Sequence, residues 1–154
     1  MKKIAGYSLL LSLTLAASGC ATNTAENSSD TASDNTPDAA LANTYWKLTE
    51  LANGQVKTVD NQREAHFVLH ADDQRVAGAT GCNQLMGNYA LDDQQIAFQQ
   101  LATTMMACQD GADTERAFLT ALNQTDAWEI DGNMLTLSND DAQPVAHFEA
   151  VELY

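Results

Sequence analysis

Between Leu41 and Tyr154 apolar and polar residues alternate in short runs, the period of two that a half-buried β-strand requires. "ANTYWKLTEL" predicts a first strand with Trp46 as its core anchor. "AHFVLH" sets Phe67 and Leu69 against His66, Val68 and His70. "RVAGATGC" continues as β-structure, with Gly and Ala where something packs closely. "GNYAL" and "QIAFQQL" predict strands around an Asp92-Asp93 turn, and "PVAHFEAVEL" a final strand. "WEIDGNMLTLS" predicts a hairpin, with Asp131-Gly132 supplying the positive φ angles of a tight turn.

One segment changes period. In "DTERAFLTALNQ" the apolar residues Ala117, Phe118, Ala121 and Leu122 fall on one helical stripe, with Asp113 expected as N-cap and Glu115 in the first turn. Seven or eight short strands and one helix predict a mainly β fold: a small, strongly curved antiparallel sheet or partial barrel with one packed α-helix.

The amino-terminal quarter has a different character. Lys2 and Lys3 precede an apolar run, Leu9 to Ala17, too short to span a bilayer, and "ASGC" ends it. This is the pattern of a bacterial lipoprotein signal peptide over residues 1–19, with Cys20 as the lipidated first mature residue. Two or three acyl chains on Cys20 would anchor the protein durably, since each buried CH₂ contributes about 0.8 kcal/mol. Ala21, in place of a retaining aspartate, points to the inner leaflet of an outer membrane, facing the periplasm. Residues 20–40 hold no aromatic, large aliphatic or basic residue, so they read as the lipidated cysteine and a disordered tether to the domain at 41–154.

Charge narrows the partners. Loss of residues 1–19 removes two of the seven basic residues and no acid, leaving five against 21 acidic residues, a net charge of −16. Phosphate binding needs clustered Lys and Arg, so nucleic acid is excluded as a partner. The expected partners are the membrane, through the acyl chains, and a protein or small molecule; the chain reads as a monomer.

With Cys20 committed to lipid, Cys82 and Cys108 remain. A nucleophile needs a base and an electropositive setting, which Gly81, Asn83, Ala107 and Gln109 do not provide. A metal site needs further ligands at suitable spacing. A disulfide needs only proximity and an oxidising compartment, and closing this loop would contribute about 3.5 kcal/mol in the chain-entropy model. The bridge is the preferred reading, with free buried thiols the alternative.

Other candidates read as structural. His66 and His70 form H-x-x-x-H, but on a strand they stand about 13 Å apart, too far to share an ion. His147 has no Ser or activated carboxylate beside it in sequence. The doublets Asp72-Asp73, Asp92-Asp93 and Asp140-Asp141 read as solvated turns without EF-hand spacing. No cofactor or metal is called for, and no enzymatic constellation assembles.

"GCN" at 81–83, "GNY" at 87–89, "IAF" at 96–98, "TTMMAC" at 103–108 and "ERAFLTAL" at 115–122 occur in order. Together they resemble the META domain family of HslJ-type, heat-shock-inducible envelope lipoproteins, over roughly residues 41 to 153. The resemblance marks Gly81, Cys82, Asn83, Gly87, Tyr89, Thr104, Met106, Ala107 and Cys108 as motif positions. Gln109 departs from it, since many relatives have proline there. The resemblance implies a compact β-rich fold, an association with envelope stress and antibiotic tolerance, and no defined reaction.

Physically, Gly81 and Gly87 would permit backbone that a Cβ forbids, and Asn83 would bond a turn. Met105 and Met106 read as gap-fillers of a small core rather than an oxidant-sensing patch. Two functions follow: a tethered binding module of the envelope or, alternatively, a barrel-like carrier sequestering an apolar molecule.

Overall fold

The computed structural model describes residues 38–56, 63–107 and 111–152. The signal peptide, Cys20, the body of the tether, Cys108 and Gln109 lie outside them. The elements are β1 (Tyr45–Leu51), β2 (Gly54–Gln55), β3 (His66–His70), β4 (Arg75–Ala79), β5 (Gln84–Asp92), β6 (Gln95–Thr103), α1 (Ala112–Gln124), β7 (Ala127–Asp131), β8 (Met134–Ser138) and β9 (Pro144–Val151). The expected mainly β fold with one helix is what is found. The two-residue β2, which carries no apolar signal, brings the strands among the described residues to nine.

Each strand pairs antiparallel with its neighbour in one curved sheet, and β9 returns to pair with β1. A ring of strands results, which removes most of the unpaired edges that an open sheet would expose. The ring is thinnest between β6 and β7, which share one register pair, Gln95 with Ala127. Two further backbone bonds hold that seam: Ile96 N–H to the Asp126 carbonyl at 2.9 Å and Trp128 N–H to the Gln94 carbonyl at 3.0 Å. Helix α1 joins these two strands in sequence and packs against β6, β9 and β1.

The interior follows from the alternation. Trp46 and Leu48, Phe67 and Leu69, Leu85 and Tyr89, Ile96 and Phe98, and Leu135 and Leu137 all point inward and are buried. The Phe67 ring meets Phe148 at 4.8 Å and Phe98 at 5.7 Å, both edge-on, and Phe118 of α1 reaches Phe148 at 5.9 Å. Edge-to-face rings add about 0.5–1.5 kcal/mol per pair beyond their burial. Trp46 satisfies its indole by donating to the Leu41 carbonyl at 2.8 Å.

Three local expectations shift. The β7–β8 turn is Gly132-Asn133, because Asp131 still pairs with Met134. Gly132 takes φ 58°, and a glycine at the first turn position adopts it without the strain an aspartate would carry. The β5–β6 turn likewise moves one residue on, to Asp93-Gln94, since Asp92 pairs with Gln95. Helix α1 begins earlier than expected: its N-cap is Gly111 at φ 104°, not Asp113. Glu115 N–H reaches back to the Gly111 carbonyl at 2.9 Å, and that bond draws Ala112 into the helix. Asp113 instead sits in the first turn, favourable for the helix dipole, and pairs with Arg116 at 2.8 Å.

Candidate functional site

Between β4 and β5 the chain must reverse within "TGCN". Gly81 does this at φ 96°, and the turn closes with Thr80 N–H to the Asn83 carbonyl at 2.8 Å. The turn buries two polar side chains, Thr80 at 0% and Asn83 at 5% exposure. Buried polar atoms must find partners, and these do so in a neighbouring strand end and in the helix.

Asn83 donates its side-chain N–H to Glu115 Oε2 at 2.9 Å. Its Oδ1 accepts from the Thr104 hydroxyl at 3.0 Å and from Met106 N–H at 2.8 Å. The Thr80 hydroxyl donates to the same Glu115 oxygen at 2.7 Å, and the Thr103 hydroxyl lies 3.4 Å from Oε1. Thr104 is fixed again by its backbone, with N–H to the Gln84 carbonyl at 3.1 Å, while Gln84 N–H donates to its hydroxyl at 3.0 Å. One carboxylate thus ties the β4–β5 turn, the end of β6 and the first turn of α1. Bonds to a charged group contribute about 1.5–3 kcal/mol each, so this junction is strong for a small domain.

The remaining motif positions divide. Cys82 is half-buried, with Sγ 3.6 Å from the Met106 carbonyl oxygen. Ala107 is exposed on the same corner. Gly87 and Tyr89 lie along β5, where the register shifts between Met86 and Asn88. A Cβ on Gly87 would stand 2.9 Å from both the Gln99 carbonyl and Leu101 Cδ2. Tyr89 is buried and donates to the His70 carbonyl at 3.2 Å; burial, with the charge of Asp73, raises its pKa. These two residues shape the sheet and stand apart from the junction.

Above the junction a groove of about 680 Å³ runs between the 103–107 segment and α1. Cys82, Thr103, Glu115 and Arg116 give it a polar side, and Met105, Met106, Ala112 and Leu119 an apolar one. Here an expectation fails. Met105 is 99% exposed and Met106 65%, so neither fills the core. The core is already filled by phenylalanines, leucines and other apolar side chains, and the N–H bond to Asn83 fixes the Met106 backbone at this surface corner. A second groove, of about 500 Å³, lies on the other flank of α1 over Leu51, Ala117 and Val145.

The histidines do not converge. The His66 ring stacks on Tyr45 at 4.2 Å, and its Nδ1 lies 2.9 Å from the Glu64 carbonyl oxygen. His147 Nδ1 sits 3.1 Å from the Thr136 hydroxyl. Among the described residues no group of three or more His, Cys, Asp or Glu side chains is placed to hold a metal. Beside His66, Tyr45 donates to Glu64 at 3.0 Å and Lys47 pairs with Glu64 at 3.2 Å. Burial raises the Tyr45 pKa, and the Glu64 carboxylate it bonds raises it further. Burial also opposes Glu64 ionisation, but bonds and charge from Lys47 and Tyr45 together hold its carboxyl below the usual range.

The junction joins GCN, T-x-M-A-C and the helix start, the segments that the sequence motifs bracket. Residues 39–152 match the META domain. The chain belongs to the META domain family. Among solved structures this META domain is similar to a protein from Burkholderia xenovorans determined by NMR, at 28% identity and TM-score 0.60, covering 73% of this chain and 85% of that one. A DUF4847 family protein from Bacteroides vulgatus, whose crystal structure was determined at 1.00 Å, shares the fold at 15% identity and TM-score 0.52, covering 74% and 96%. No functionally curated protein matches the chain.

Sequence reasoning overlooked the hub of the META junction. Glu115 reads only as a helix-dipole acid and Thr80 and Thr103 carry no signal, yet Glu115 joins both threonines to Asn83. Nothing local marks them, since Glu115 lies 35 residues from Thr80 and 32 from Asn83.

Proposed function

We propose that this META domain is a non-enzymatic binding module of the bacterial envelope, of the HslJ type. It is anchored by acyl chains on Cys20 in the outer membrane, faces the periplasm and acts in envelope stress and antibiotic tolerance. The observation that carries this reading is the groove beside Met105 and Met106. The motif residues beneath it are engaged with one another: both Glu115 oxygens have hydroxyl or amide donors, and Asn83 uses its amide N–H and its carbonyl. Such residues hold a surface in shape. Exposed methionines beside an apolar helix face are adaptable contact groups, suited to a protein or small ligand. The interior, packed with Phe67, Phe98, Phe118 and Phe148, supports surface binding over sequestration of an apolar molecule inside the ring.

A Cys82–Cys108 disulfide belongs to the same proposal. The Cys82 sulfur lies against the carbonyl of Met106, two residues before Cys108, and a bridge there would pin the groove's rim. The unreduced mature protein is expected to carry no titratable thiol, and two free thiols in its mass spectrum would remove the bridge.

The test of function is gene deletion followed by envelope challenges. Complementation is expected from the wild-type gene and not from Cys20→Ser or from a Met105→Asp/Met106→Asp double variant. Full complementation by Cys20→Ser would rule out the anchored role, and full complementation by the double variant would rule out the groove.

A further inference from the structure

All four methionines among the described residues are exposed: Met86 at 48%, Met105 at 99%, Met106 at 65% and Met134 at 43%. The buried apolar side chains are Leu, Phe, Ile, Val, Ala, Trp and Tyr. This inverts the usual placement of a residue that ordinarily fills irregular gaps in cores. Three of the four also gather at one end of the β5–β6 ladder. Met86 pairs with Ala102, and Gln84 exchanges bonds with Thr104, the residue before Met105.

From this placement we infer that Met105 and Met106 form a reversible oxidation site that accepts oxygen from two-electron oxidants of the hypochlorous acid or peroxide class. The step balances without any other reactant. With hypochlorous acid the thioether sulfur gains the oxygen and loses two electrons, chlorine takes them and leaves as chloride, and the proton passes to water. With a peroxide the O–O bond breaks and water leaves.

Buried methionine resists such oxidation, and its sulfoxide disrupts the core when it forms. On this corner the new S=O dipole would stand in water and break no packing. Met106 would stay in place because Asn83 holds its backbone N–H, not its side chain. The consequence is local: the apolar side of the groove becomes polar while the β-ring beneath is unchanged. The oxidation site stands whether or not the groove binds a partner.

The test treats the purified full chain with limiting hypochlorous acid in the presence of N-acetylmethionine amide as competitor, followed by peptide mapping. Met105 and Met106 are expected to react within about threefold of the competitor, as freely accessible thioethers should. The oxidised protein should keep a cooperative melting transition, and the two stereospecific methionine sulfoxide reductases together should return the original mass. With oxidant enough to convert every accessible thioether, the Met105→Leu/Met106→Leu variant should take up two fewer oxygen atoms than the wild type, and it should melt as the wild type does. Reaction of Met105 and Met106 more than about tenfold slower than the competitor would overturn the inference. So would loss of the folded transition on oxidation, or sulfoxides that neither reductase repairs.

Discussion

Replacing Asn83 by alanine would remove three hydrogen bonds from a side chain that is 5% exposed: two at Oδ1, from Thr104 and Met106, and one to the Glu115 carboxylate. Neutral bonds contribute about 1 kcal/mol each and the charge-assisted one about 2 kcal/mol. Water reaching the exposed Met106 would recover part of this, so a net loss of about 3 kcal/mol is expected. Unfolding a domain of about 110 residues carries an entropy near 230 cal/mol/K, which turns that loss into a melting point lower by about 13 °C. Circular dichroism melts and urea titrations would measure it, with the urea slope unchanged because the exposed surface is nearly the same.

Asn83→Asp separates the amide's role from its size. A carboxylate there would face Glu115, so its folded-state pKa would lie above its unfolded value. The variant should therefore be destabilised at pH 7 and recover as pH falls toward about 4. A loss under about 1 kcal/mol for Asn83→Ala, or an Asn83→Asp variant as stable as wild type at pH 7, would refute the account of the junction.

Gly78→Ala should prevent folding or cost more than about 3 kcal/mol, because the added Cβ would overlap the His66 carbonyl and the Phe67 backbone, which cannot move aside without breaking the β3–β4 ladder; soluble yield and melting point report it. Tyr45 should ionise above a free tyrosine in an ultraviolet pH titration, and Glu64→Gln should move it back toward about 10. Since the folded Tyr45 pKa is raised, its stabilisation is complete below about pH 10 and is lost as pH rises further. Glu64, whose pKa is lowered, contributes above about pH 4 and loses that contribution as pH falls, so Glu64→Gln should flatten both ends of the stability profile.

The strands and the helix stripe were legible because their signal is local. Alternation at Phe67/Leu69 and at Leu135/Leu137 states which side of the backbone meets the core, and the period changes wherever Phe118, Ala121 and Leu122 repeat. Turn positions slipped by one residue, since Asp131-Gly132 and Gly132-Asn133 satisfy nearly the same local rule and cross-strand register chooses between them. The junction and the ring were decided only in three dimensions. β1 meets β9 about a hundred residues away, and Glu115 gathers Thr80, Asn83 and Thr103 from separate segments. A hydrophobic residue needs only to be inside, which its sequence neighbours can announce; a hydrogen-bonding residue needs one particular partner, which only the folded chain supplies. The methionines of "TTMMAC" show the same limit from the other side, since their composition reads as core and the folded chain leaves them exposed above the Asn83–Glu115 junction.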